Sequence, residues 1–135
     1  MNTETLKIFD NEKNTLSFDL RDILVLIDGG ESYQWELKNM DINIIQPNIL
    51  YKELSNEEMV LIDKIEASIS YYITWDDLVR LSNCNIQIIS GDIKGIKSHY
   101  SIYINVFDGS YWTIKSNQRS FLNRVRSRFK FTKFV

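Results

Sequence analysis

The chain has one cysteine, one proline, one histidine and one alanine among 135 residues. Cys84 alone excludes an intrachain disulfide framework and suits a reducing compartment. With His99 the single imidazole, a closed Cys/His set for structural zinc cannot be written within one chain. Neither a Ser-His-Asp nor a Cys-His signature is present, so His99 reads as a surface or structural residue and Cys84 as a small buried hydrophobe. Apolar runs such as "ILVLI" at 23 to 27 fall far short of the roughly 20 residues that a membrane span requires. The polar, acidic start "MNTETLKIFDNEKN" lacks the basic and apolar regions of a signal peptide, and a cytoplasmic protein is expected. The last absence is of one sign of charge: residues 109 to 135 contain seven basic side chains and no acid.

What is present is ordinary globular material. Hydrophobic residues at 44% and charged residues at 25% exclude disorder and fibrous repeats, and the length fits one domain, 1-135, with a true core. Isoleucine occurs 19 times and asparagine 12, a bias that fits an AT-rich gene.

Hydrophobic spacing gives the expected elements. "ETLKIF" at 4 to 9 opens a strand, and "SFDLRDILVLIDGG" reads as a helix capped by Ser17, with Leu20, Ile23, Leu24 and Ile27 on one side and Gly29 as its left-handed stop. Tyr33, Trp35 and Leu37 alternate along a strand, and "INII" at 42 to 45 suggests another before the Pro47 break. Ser55 and Glu58 have capping-box spacing, with Leu54 and Met59 at the two positions of a hydrophobic staple, so a helix should run to about Ala67. "SISYYI" at 68 to 73 alternates like a strand yet could extend that helix. Thr74 caps a short helix whose first turn carries Asp76 and Asp77, where the helix dipole favours anions. "NIQIIS" then reads as a buried strand stopped by Gly91, and "SGDIKG" as a turn between strands without the Lys-Ser/Thr ending of a P-loop.

In "HYSIYINVFDGSYWTIKS", Asp108-Gly109 suits a two-residue hairpin turn, which would set Phe107 against Ser110, Asn105 against Trp112 and Tyr103 against Ile114. Both faces of such a hairpin are apolar, so one should meet helices and the other a dimer mate, a ligand or a second side of the core. Phe121, Leu122, Val125 and Phe129 form the core stripe of a closing helix, and "FKFTKFV" can add an edge strand. The expected fold is α+β: an antiparallel sheet, with a hairpin at about 100 to 115, packed by three or four helices.

Charge divides steeply. Residues 1 to 108 carry 9 basic and 18 acidic side chains, and the remainder carries the other 7 basic ones. A basic tail built on Arg119, Arg124, Arg126, Arg128 and Lys130 could contact nucleic acid; it could equally neutralise the acidic remainder within one fold; or the acidic majority could be a working face that attracts a basic partner.

The stretches "ISYYITWDDLVRLSNCNIQIISG" and "SIYINVFDGSYWTIKSN", in a small acidic α+β chain, resemble the immunity proteins of bacterial polymorphic-toxin and contact-dependent growth-inhibition systems. The resemblance implies a non-catalytic inhibitor that binds a cognate toxin, such as a nuclease, and blocks its toxic domain, with no cofactor or metal. Tyr71, Tyr72, Trp75, Asp76 and Asp77 are the candidate partner contacts, because they bring aromatic anchors and anions together within seven residues.

Overall fold

The computed structural model describes residues 3–9, 19–45, 52–107 and 111–135. Among these, seven strands pair antiparallel in one sheet and four α-helices accompany it. The strands are β1 (Glu4–Ile8), β2 (Gln34–Ile44), β3 (Ser70–Ile73), β4 (Ile86–Lys97), β5 (Tyr100–Phe107), β6 (Tyr111–Ser116) and β7 (Thr132–Phe134). Their order across the sheet is β3-β2-β4-β5-β6-β1-β7. The helices are α1 (Leu20–Leu24), α2 (Asn56–Ala67), α3 (Trp75–Ser82) and α4 (Arg119–Arg128).

Period-two alternation decides which face is covered. Leu6, Ile8, Trp35, Leu37, Ile93, Ile102, Ile104, Trp112 and Ile114 are all at most 2% exposed and join the helices' apolar stripes in one cluster. In α4 that stripe is Phe121, Leu122 and Val125, followed by Phe129, as their spacing predicts. Each such side chain contributes about 1.5–3 kcal/mol by leaving water. The alternate positions, among them Lys7, Glu36, Lys94, Tyr103 and Thr113, line the opposite face, against which no described helix packs.

Several local expectations change. The observed register pairs Phe107 with Tyr111, Val106 with Trp112 and Ile104 with Ile114, so three residues lie between the paired ends and not two. That one-residue shift moves Trp112 and Ile114 to the side of Ile102, Ile104 and Val106. The hairpin is therefore apolar on its covered face and mixed on the other. The Asp108-Gly109 turn itself lies outside the described residues.

Gly91 does not stop a strand, nor is "SGDIKG" a turn: β4 runs through both to Lys97. Between the Lys38–Asp92 and Asp41–Ser90 pairs, Asn39 and Met40 oppose Gly91 alone, which makes a bulge. Asn39 has φ 53° and Gly91 φ 147°, and a Cβ on Gly91 would lie 3.1 Å from the Met40 Cα. The expected strands at 33 to 37 and 42 to 45 are thus one strand that absorbs this bulge. The first helix is shorter than its periodicity suggests. It ends at Leu24, and Asp22 accepts the Asp19 backbone N–H at 3.0 Å, while Ser17 lies outside the described residues, as does Pro47. Gly29 has the expected left-handed φ of 62°, but it precedes a 3-10 turn at Gly30–Ser32.

The ambiguous segment at 68 to 73 is the edge strand β3, paired with β2. Ser55 and Glu58 form the full capping box and α2 ends at Ala67; Met59 stays 46% exposed, so the apolar staple is not closed around it. Thr74 accepts the Asp77 N–H at 3.2 Å.

Candidate functional site

A concavity lined by aromatic side chains lies where β3 turns into α3. Trp35 projects from β2 into the core and donates its Nε1–H to the Gly30 carbonyl at 2.8 Å. Trp75, the first residue of α3, stacks on it with ring centroids 5.3 Å apart. A Cβ on Gly30 would lie 2.3 Å from the Trp75 ring, so that glycine serves the ring stack as much as the turn. Around this stack, Glu31, Tyr33, Tyr72 and Thr74 complete a cleft of about 480 Å³. Tyr33 accepts a hydrogen bond from Gln118, and burial raises its phenol pKa, assisted by Tyr100. The cleft offers rings and hydroxyls, with Glu31 the one carboxylate in its described lining.

The five candidate partner contacts separate. Tyr71 packs half-buried against the core and Trp75 is held in the ring stack. Tyr72 is 64% exposed on the uncovered face of the sheet. Asp76 is exposed at the start of α3, and Asp77 pairs with Arg80 at 3.2 Å. Tyr72 and Trp75 share the cleft, whereas Tyr71, Asp76 and Asp77 do not line it.

Around α2 and α3 the surface is acidic. Residues 56 to 82 carry six acidic and two basic side chains; Glu57, Asp63, Glu66 and Asp76 are exposed, as are Met59, Val60 and Ile69. Glu58 ties the two helices: it accepts the Ser55 N–H at 2.9 Å and the Cys84 thiol at 3.1 Å, and faces Arg80 at 3.6 Å. Burial, with Glu58 as neighbour, pushes the Cys84 thiol up to about 12, so it is no nucleophile at neutral pH.

The basic segment meets the acidic remainder from the other end of the helical layer. Arg119 pairs with Glu4, Arg124 with Asp28 at 3.5 Å and Arg128 with Asp22 at 3.5 Å. Arg124 also donates to the Leu26 carbonyl at 2.8 Å. Arg119 and Arg126 both lie 5.0 Å from the Phe134 ring, and Lys130 lies over Phe131. Three of the five candidate nucleic-acid contacts are thus engaged by acids of the same chain. Spacing revealed the arginines; their acidic partners lie 96 (Arg124 to Asp28) to 115 (Arg119 to Glu4) residues away in sequence, which no local pattern exposes.

His99 is exposed between β4 and β5. Among the described residues, no group of three or more His, Cys, Asp or Glu is arranged to hold a metal ion, and no helix is long and apolar enough to cross a membrane. Comparison with models of known families, with curated proteins and with solved structures gave no match.

Proposed function

We propose that this chain is a non-catalytic inhibitor of the immunity-protein kind, which binds a cognate bacterial toxin in the cytoplasm and occludes its toxic domain. The observation that carries this reading is the acidic, partly apolar exposed surface of the two helices: Glu57, Asp63 and Glu66 are exposed along α2 together with Met59 and Val60, Ile69 is exposed just beyond its end, and Asp76 is exposed at the start of α3. Such a patch combines the two things a tight interface needs. Apolar side chains supply burial, and a single sign of charge steers a basic partner and disfavours wrong ones. A toxin domain that handles nucleic acid presents the complementary basic surface. Of the candidate contacts, Asp76 is exposed at the start of α3 and Tyr72 on the adjoining edge strand β3.

The test is co-expression with any toxin-like protein that a neighbouring gene encodes. Growth should be restored and the two chains should copurify through gel filtration. A Glu57→Lys/Asp63→Lys/Asp76→Lys variant, folded by circular dichroism, should lose both effects. Absence of binding and of protection by the unaltered chain would refute the proposal.

A further inference from the structure

The uncovered face of the sheet divides into two halves of different electrical character. On β2 and β4, cross-strand neighbours alternate in sign: Glu36 stands opposite Lys94, and Lys38 opposite Asp92. On β5, β6, β1 and β7, the outward positions are Ser101, Tyr103, Asn105, Phe107, Tyr111, Thr113, Lys115, Thr5, Lys7 and Lys133, read from the register, with no acid among them. Lys7 and Lys133 are direct cross-strand partners, and Lys115 sits across from Thr5, one diagonal away from Lys7. Like charges directly opposite on a sheet repel. None of these three lysines forms an ion pair among the described residues. No described carboxylate offsets that repulsion, so an anion placed there would relieve it.

Beside the lysines stand three rings, Phe9 and Phe107 exposed and Tyr111 partly so. Phe107 and Tyr111 are stacked with centroids 5.3 Å apart, Phe9 lies 6.4 Å from Tyr111, and the Lys7 ammonium sits 4.3 Å above the Tyr111 ring. Phe9 is 37% and Phe107 55% exposed. Aromatic side chains on adjacent strands of an open antiparallel sheet, bordered by lysines and short neutral hydrogen-bonding side chains, make a surface suited to flat, unpaired bases joined by phosphates. Duplex DNA would bury its bases from these rings. An acidic peptide would satisfy the lysines but has no reason to need the stack.

We propose that this half of the open face binds single-stranded nucleic acid, with bases against Phe107, Tyr111 and Phe9 and phosphate held between Lys7, Lys133 and Lys115. The α4 arginines take no part, being on the helical side and committed in part to Glu4, Asp22 and Asp28. The proposal is independent of toxin binding through α2 and α3, which lie on the opposite layer.

The test is fluorescence anisotropy of labelled single-stranded DNA and RNA of about 12 nucleotides, a length typical of small β-platform sites. Binding should weaken with salt with a logarithmic slope of about −2, three lysines each contributing about 0.7. Tyr111→Ala and Phe107→Ala should each weaken it about fivefold or more, and Lys7→Ala and Lys133→Ala should lower the slope. Arg124→Ala/Arg126→Ala/Arg128→Ala and the acidic-face triple variant should bind as the unaltered chain does. Ultraviolet cross-links on the unaltered protein should map to β5, β6 or β1, which keeps the proposal testable if a variant fails to fold. No binding at low salt, equal competition by poly-glutamate, or loss with the arginine variant alone would overturn it.

Discussion

Replacing Glu58 with alanine asks whether one carboxylate fastens α2 to α3. The side chain is in a residue only 7% exposed, and it receives hydrogen bonds from the Ser55 amide and the Cys84 thiol while facing Arg80. Burial by itself raises its pKa, but the Ser55 amide, the Cys84 thiol and Arg80 together outweigh burial and hold the carboxyl below its ordinary value. Hydrogen bonds to a charged acceptor contribute about 1.5–3 kcal/mol. Arg80 is 47% exposed at its side chain, so water screens its share and rehydrates it after release. The expected loss for Glu58→Ala is therefore about 2 kcal/mol, which lowers Tm by about 6–8 °C for a chain of this size.

The pH dependence follows from the direction of the shift. A carboxyl whose folded pKa is depressed stabilises fully above its unfolded pKa, about 4.3, and the contribution fades as pH falls through the folded value. Urea unfolding followed by tryptophan fluorescence should show a gap between the two proteins at neutral pH that closes on acidification. A gap under about 0.5 kcal/mol at neutral pH, well below one charged hydrogen bond, would refute the role given to Glu58. So would a gap that stays constant as the carboxyl titrates.

Two further outcomes follow from other sites. Cys84, buried and with its thiol pushed up to about 12, should react with a disulfide reagent far more slowly in native buffer than in urea; equal rates would show that the thiol is accessible. Gly30→Ala would drive a methyl to 2.3 Å from the rigid Trp75 indole, so it should cost about 1–3 kcal/mol and alter the near-ultraviolet circular dichroism of the Trp35–Trp75 stack. An unchanged spectrum and unchanged stability would show that the stack does not depend on that glycine.

Local chemistry made much of the helical plan readable. The Ser55 and Glu58 box, the Thr74 cap and the Phe121, Leu122, Val125 stripe each involve residues a turn or two apart, and all three appear as their spacing predicts. The candidate sites were less legible for the same reason. Tyr71 and Tyr72 are neighbours in sequence, yet strand pleating sends one toward the core and leaves the other in solvent. Trp75 carries the signature of a surface anchor, but Trp35, 40 residues earlier, claims its ring.

By itself, the sequence determined a sheet-and-helix protein with an acidic body and a basic end, because period, capping and charge count are local or additive. Only the tertiary structure decided three things: that the hairpin is paired one residue out of its expected register, that the arginines answer Glu4, Asp22 and Asp28, and that Lys7 and Lys133 stand side by side on an uncovered face. Each is a pairing between residues far apart along the chain. Such pairings are selected by burying one continuous apolar face, and that quantity belongs to the whole sheet and to no single segment of it.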